Sequence, residues 1–357
     1  MTLQIPLTFS AAQLKRIALK CGISSSGTKA VLAARISHEL LKTEEQRQSD
    51  RPRLKGNPLR VLSIDMGIRN LAYCVLDIPR RRRETSAKYP ILNEWHRVAV
   101  STPPPTEAEP LGEDDLPESA ERIVTKEAEK ESFTPDTLSL AAYKLLRHRL
   151  LFLKPSYILI ERQRFRSMGH GSVLEWTIRV NMLEAILHGV LCTLKEEGLW
   201  TGSVISVTPG RSGAYYQGES AEGDESVAPR KERTTKTAKL LNKGFKIDLV
   251  KSWLGEKRNI TLGGKQAETV AKAFLDKWNR SPGRGTVIRI GEGEKMGKLD
   301  DLADCLVQGM AWIEWEKNKR TALKHGVEAL LAPPSGAILV RDRTEKSSVR
   351  LRAVTIP

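Results

Sequence analysis

An α/β fold, a mixed sheet flanked by helices, is predicted by three features of the 357-residue chain. Short apolar runs of strand length, Leu59 to Ile64, Leu71 to Leu76, Tyr157 to Ile160 and Val204 to Val207, are bounded by turn residues or charge. Longer segments with helical apolar spacing follow them, at Leu138 to Leu153, Val173 to Leu194 and Leu299 to Trp315. Strands followed by helices imply a sheet covered on its faces. With 40% apolar residues the chain can bury one large core beside a small accessory domain.

Residues 1–42 read as that accessory part. Leu14, Ile17, Ala18 and Cys21 share one helical face, and Val31, Leu32, Ile36 and Leu40 another. Gly22-Ile23-Ser24-Ser25-Ser26-Gly27 turns the chain between them, and Ser10 and Thr28 stand where N-caps belong. Lys15, Arg16, Lys20, Lys29 and Arg35 fall on the polar faces. Through Leu14-Lys15, Cys21-Gly22-Ile23, Gly27-Thr28-Lys29, Leu32 and Arg35-Ile36 the segment resembles the SAP family of DNA-binding helical hairpins. That resemblance implies DNA contacts from Lys15, Lys29 and Arg35; a hairpin that merely packs on the main domain fits the same pattern.

Residues 43–58, polar and basic with Pro52 and Pro58, have the composition of a linker. The main domain then runs from residue 59 to about 330 and opens on a hairpin whose two strands turn at Gly67. Residues 101–131, with Pro103-Pro104-Pro105 and many acids, and residues 217–230, rich in Gly, Glu and Ser, lack apolar periodicity and read as flexible insertions. Residues 331–357 form a loosely structured tail.

Lys and Arg exceed Asp and Glu by 15, an excess whose simplest use is to meet a polyanion, nucleic acid or an anionic lipid surface. Apolar runs fall short of the roughly 18 residues that span a bilayer, which argues against a membrane protein. The four cysteines, Cys21, Cys74, Cys192 and Cys305, are dispersed without a C-x-x-C pair or His clustering; they read as reduced, buried thiols rather than zinc ligands. The first ten residues are poor in Arg and show neither a secretory h-region nor an obvious mitochondrial presequence.

The acidic residues carry the chemistry. Asp65 ends the first strand and Glu161 the strand Tyr157 to Ile160. Asp300, Asp301 and Asp304 open the last helix beside its apolar stripe of Leu299, Leu302, Ala303, Leu306 and Met310. On an α-helix Asp301 and Asp304 lie about 60° apart and Asp300 and Asp304 about 40°, so either pair can share one cation. Each acid alone also fits a helix cap or a dipole partner. Gathered together, four or five carboxylates repel strongly unless a cation neutralises them. All-oxygen donors fit Mg²⁺, or Mn²⁺, rather than Zn²⁺. Two such ions about 4 Å apart would serve an in-line phosphodiester displacement.

The order strand Asp, strand Glu, helix Asp is that of the ribonuclease H-like nucleases. Ser63-Ile64-Asp65-Met66-Gly67-Ile68-Arg69-Asn70-Leu71-Ala72-Tyr73, Ile160-Glu161-Arg162-Gln163-Arg164-Phe165-Arg166-Ser167 and Lys298-Leu299-Asp300-Asp301-Leu302-Ala303-Asp304 look like the fungal mitochondrial Holliday-junction resolvases, relatives of bacterial RuvC. The resemblance covers roughly residues 59–320. It implies a ribonuclease H-like fold and a homodimer that cuts four-way DNA junctions symmetrically in mitochondria. It further implies Asp65, Glu161, Asp301 and Asp304 as catalytic metal ligands, with Asp300 competing for the helix position, and no small-molecule cofactor.

Arg162, Gln163, Arg164 and Arg166 follow Glu161 directly, where guanidinium groups can clamp phosphates beside the cut. Phe165 among them either wedges between bases or covers the core. Arg69 stands beside Asp65, and Lys231, Arg233, Lys236 and Lys239 form a second basic patch suited to tracking backbone. Three rival readings remain: an actin- or sugar-kinase-like ATPase, which lacks its Gly-rich phosphate loops here; a non-catalytic junction- or DNA-binding protein; and a nuclease for RNA–DNA hybrids, which the same carboxylates would support.

Overall fold

The structure is a computed structural model that describes residues 5–6, 8–50, 59–79, 88–100, 132–163, 174–222, 235–279, 289–290, 294–295, 298–332, 338–340 and 352–354. Its helices are α1 (Ala11–Lys20), α2 (Lys29–Asp50), α3 (Pro135–Leu145), α4 (Glu175–Glu196), α5 (Arg211–Glu222), α6 (Thr235–Glu256), α7 (Lys265–Trp278) and α8 (Leu299–His325). Its strands are β1 (Leu59–Asp65), β2 (Leu71–Ile78), β3 (Ile91–Val98), β4 (Tyr157–Glu161), β5 (Ser203–Val207) and β6 (Thr261–Leu262), then the short β7 (Arg289–Ile290), β8 (Glu294–Lys295), β9 (Ile338–Val340) and β10 (Arg352–Val354). By packing, the chain divides into two compact units. One holds residues 58–209 and 247–309; the other holds residues 1–57, 210–246 and 310–357.

In the first unit six strands form one sheet in the order β5-β4-β1-β2-β3-β6. The hairpin read from the sequence is antiparallel, with Asp65 opposite Ala72 and Ser63 opposite Cys74. Strand β3 continues the meander, while β4 joins β1 in parallel and β5 joins β4 in parallel. This mixed sheet flanked by helices is a ribonuclease H-like architecture. Alternation along β1 sends Leu62 and Ile64 into a core shared with Leu138, Ala142, Leu183, Leu187 and Leu191 of α3 and α4. Ser63 and Asp65 therefore face the other side of the sheet, where Gln308 of α8 reaches Ser63.

Helix α4 is long and apolar enough to cross a bilayer, which the reading of uninterrupted runs did not anticipate. Its Val180, Leu183, Leu187, Leu191 and Leu194 are instead buried in the protein core or beside it. The helix expected over residues 138–153 ends at Leu145 and continues as a π-turn, Leu146–Leu150, and a 3-10 turn, Leu151–Leu153. Leu138, Ala142, Leu146 and Leu150 are all fully buried at a spacing of four. That period drifts by about 40° per repeat on a 3.6-residue helix, and the wider turn takes the drift back.

In the second unit α1 starts on a capping box. Ser10 Oγ accepts from the Gln13 amide at 3.2 Å, and Gln13 Oε1 accepts from the Ser10 amide at 2.8 Å. The inner faces of α1 and α2 bury Leu14, Ile17, Leu32, Ile36 and Leu40 against Ala322, Val327 and Leu330. Gly22, at φ +66°, closes α1 so tightly on Trp315 that an added Cβ would lie 2.3 Å from the indole. Asn318 Nδ2 donates to the Lys20 carbonyl at 2.8 Å, and Arg211 Nη1 to the Gly22 carbonyl at 2.9 Å.

Several sequence expectations are corrected. Residues 43–50 belong to helix α2 rather than to a linker, because Glu44 pairs with Arg47 at 3.1 Å and with Gln48 at 3.2 Å along the helix; residues 51–58 lie outside the described residues. The insertion read from residue 217 begins later, since α5 extends to Glu222, and residues 101–131 lie outside the described residues. The last helix runs on to His325. Within the tail β9 and β10 pair antiparallel. Cys21, Cys74 and Cys305 are buried free thiols, but Cys192 is exposed. Val31, placed on the inner face, is 45% exposed.

Candidate active site

Adjacent parallel strands end in Asp65 and Glu161, with Ile64 in register with Ile160. Both acids follow fully buried strand residues, so the chain leaves the core at the point where each carboxylate stands. Helix α8 places Asp301 and Asp304 near them and is drawn close to the sheet. At Gly309 an added Cβ would lie 2.8 Å from Leu76 Cδ1 and 3.2 Å from Ser63 Cβ. Gln308 Nε2 donates at 3.1 Å both to Ser63 Oγ and to the Ile64 carbonyl, and the residue is almost fully buried. Gln308 lies one turn after Asp304, and Ser63 two residues before Asp65, so this pair sets the register between the two acids.

The electrostatics show the acids acting as a group. Burial first, then the charge of Glu161, that of Asp304, a hydrogen bond with Glu161 and the charge of Asp301 push the Asp65 carboxyl well above the usual carboxylate range. One oxygen of Asp301 and one of Asp304 are shut off from solvent. The charge of Asp300 does not figure among those that raise Asp65; it acts on the Lys277 ammonium and partly offsets the depression caused by burial and by Arg97. The charges of Glu161, Asp301 and Asp304 thus bear on Asp65, and that of Asp300 bears on Lys277. Among the described residues no three His, Cys, Asp or Glu side chains are arranged tightly enough to hold an ion as they stand.

Four supporting residues were not singled out from the sequence. Arg97 Nε lies 3.8 Å from Asp301 Oδ2, and its Nη2 donates to Asn70 Oδ1 at 2.8 Å. Arg97 pairs with Ala72, which pairs with Asp65, so a strand hidden from the apolar pattern delivers a cation to the acids' row. Glu184 of α4 accepts from the Gln163 amide at 2.8 Å and fixes the chain as it leaves β4. Gln308 and Asn70 complete the set.

Of the basic residues read from the sequence, Arg69 is exposed and stacks on aromatic rings. Arg162 is exposed, with its amide bonded to the Val207 carbonyl at 2.8 Å. Gln163 Nε2 donates to the Glu161 carbonyl at 3.3 Å. Lys15 is exposed and Lys29 half-buried on the hairpin, whereas Arg35 Nη1 donates at 2.7 Å to the Ser24 and Ser26 carbonyls and so holds the turn. Arg164, Phe165, Arg166, Lys231 and Arg233 lie outside the described residues, as do the side chains of Lys236 and Lys239.

Residues 61–322 match the family described as mitochondrial resolvase Ydc2 / RNA splicing MRS1. The chain is 23% identical over 327 residues to the mitochondrial cruciform cutting endonuclease 1 of Saccharomyces cerevisiae, covering 86% of this chain and 82% of that protein. It is 26% identical over 326 residues to the protein of the same name from Schizosaccharomyces pombe, covering 89% and 95%. The crystal structure of the yeast mitochondrial Holliday junction resolvase Ydc2 superposes with a TM-score of 0.50 at 22% identity, over 90% of this chain and 98% of that one. That likeness agrees with the fold built here from strand order and helix placement.

Proposed function

Since the chain belongs to the mitochondrial resolvase Ydc2 / RNA splicing MRS1 family, we propose that it is a metal-dependent endonuclease that resolves four-way DNA junctions in mitochondria, acting as a homodimer that makes paired symmetric cuts. The observation that carries this reading is the gathering of Asp65, Glu161, Asp301 and Asp304 at one end of the sheet. A protein that only bound nucleic acid would gain nothing from carboxylates that repel phosphate and raise one another's proton affinity. The cruciform-cutting names of the two yeast relatives supply the substrate class and the compartment.

The donor set fits a hard divalent cation. It is all carboxylate, and Asp65 already holds its proton more firmly than a solvated acid, the condition a bound cation relieves. Asp65, Glu161, Asp301 and Asp304 would hold Mg²⁺ or Mn²⁺, two ions in the full site. Bound there, the metal would supply Lewis acidity to the scissile phosphate and to the attacking water.

The chain's own residues do the positioning. Arg97, tethered by Asn70, moderates the negative charge at Asp301. Glu184 holds the Gln163 amide, so that Arg162 leaves the strand end in a fixed direction, toward phosphates flanking the cut. Lys15 and Lys29 of the SAP-like hairpin are assigned to DNA backbone, and Arg35 to the shape of the turn that presents Lys29.

The reading is tested by incubating the protein with a labelled four-way junction, a linear duplex and an RNA–DNA hybrid, each with Mg²⁺, Mn²⁺ or EDTA. Paired nicks at symmetric positions on the junction, absent with EDTA, are expected. Tight binding that ignores metal and yields no cut would leave an architectural nucleic-acid-binding protein instead. Preferential loss of the RNA strand from the hybrid would make it a hybrid nuclease.

Gln308→Leu probes the register. It removes the donor that Gln308 gives to the Ile64 carbonyl and the Ser63 hydroxyl, at a cost of about 1–3 kcal/mol. Junction cutting should slow by roughly ten- to a hundred-fold through displacement of Asp304, with junction affinity retained. Thermal melts and single-turnover rates check both parts; an unchanged rate in the folded fraction would refute the register role.

A further inference from the structure

At the turn between β1 and β2 lies an exposed aromatic cluster that the cutting chemistry does not use. Arg69 sits four residues beyond Asp65 in the turn between β1 and β2, and Trp176 lies in the first turn of α4. The Arg69 guanidinium lies 5.1 Å from the Trp176 ring centre and 5.8 Å from that of Phe133. The two rings meet edge to face at 5.6 Å, and Arg179 covers Phe133 at 4.1 Å. Trp176 is nonetheless 40% exposed.

An indole that keeps part of its ring in solvent while a guanidinium and a second ring hold it in place is a preformed binding face. Its chemistry here is alternating aromatic and guanidinium faces, the surface on which nucleobases stack and beside which phosphate is held. A charge excess of 15 favours a polyanionic partner over an apolar protein face. We propose that Trp176, with Phe133, Arg69 and Arg179, forms a stacking platform for an unpaired base at the crossover of the bound junction. The proposal rests on the junction-endonuclease reading and deepens it, because a duplex offers stacked, paired bases whereas a strand exchange point can release one.

The test places 2-aminopurine in turn at each nucleotide flanking the crossover and follows its fluorescence on binding the full chain in EDTA. Wild type should change the signal at one position beside the crossover. Trp176→Leu should abolish that change and weaken junction binding roughly ten-fold, with linear-duplex affinity unaltered, while Trp176→Phe should keep most of both. Arg69→Lys, which keeps the charge and loses the plane, should weaken the signal with little change in overall fold by circular dichroism. The proposal is overturned if Trp176→Leu behaves as wild type. It is equally overturned if Trp176→Leu changes the sedimentation of the protein without DNA, which would make the cluster a self-association face. A wild type that neither binds nor cuts junctions would fell the functional reading itself, a result distinguishable from either.

Discussion

Asp65→Asn is expected to reduce junction cutting by roughly a thousand-fold or more and, in EDTA at neutral pH, to raise the melting temperature. The loss follows from removing the carboxylate that burial and its three acidic neighbours surround. The gain follows from the same repulsion. A carboxyl whose native pKa is raised above the value it has in the unfolded chain binds its proton more tightly when folded. Its stabilising contribution is complete below the unfolded value, near 3.8, and is lost as pH rises through the raised native value. As the pH rises through that native value the wild type therefore takes on a repelled charge that asparagine does not carry. Each kcal/mol recovered would lift the melting temperature by about 1–2 °C in a chain of this length. The difference between variant and wild type should grow from pH 4 to pH 7 in EDTA and shrink or reverse in excess Mg²⁺, where the wild type gains from ligand binding. A variant that melts below wild type at every pH in EDTA, or that cuts within ten-fold of it, would show that Asp65 is not at the centre of this cluster.

How much of this site could be read from the chain follows from where its partners lie. Asp65 and Glu161 were legible because each closes a short, fully buried apolar run, and Asp300, Asp301 and Asp304 because they open a helix with a clear stripe. Strand β3 was not legible. A register shift between Val75 and Leu76 lets Asn93 out of the ladder, so the buried Leu92 and Trp95 fall three apart instead of two. With β3 went Arg97, whose importance lies in reaching Asp301 some two hundred residues on. Gln308 was hidden in the same way: a glutamine among apolar helix residues reveals its partners only when β1 is beneath it. The end of α2 is not legible because its polar composition fits a linker, although Glu, Gln and Arg at helical spacing support a solvated helix equally well. What failed to show was in each case pairing between distant elements, which composition and period do not encode.

The same limit explains why the sequence left Asp300 and Asp301 as rivals, and it sets up the second large effect. Asp301→Asn is expected to slow junction cutting by roughly a hundred- to a thousand-fold, and Asp304→Asn comparably, while Asp300→Asn stays within about three-fold of wild type. On a bare helix Asp300 is angularly nearer to Asp304, yet the charge that bears on Asp65 comes from Asp301 and Asp304, and that of Asp300 bears on Lys277. Rotation of α8 about its axis decides this, and Gln308 and Gly309 fix the rotation by seating the helix against Ser63 and Leu76. A Mg²⁺ titration of the rate separates a ligand from a bystander. Asp301→Asn should demand far more Mg²⁺ for half-maximal cutting, since a lost carboxylate weakens the site for the ion. Asp300→Asn should titrate like wild type, and its effect should appear as altered salt dependence of DNA binding through the less compensated charge of Lys277. If Asp300→Asn were the more damaging variant, the helix would have to present its opposite flank to the sheet, and the contacts of Gln308 with β1 would be broken along with it.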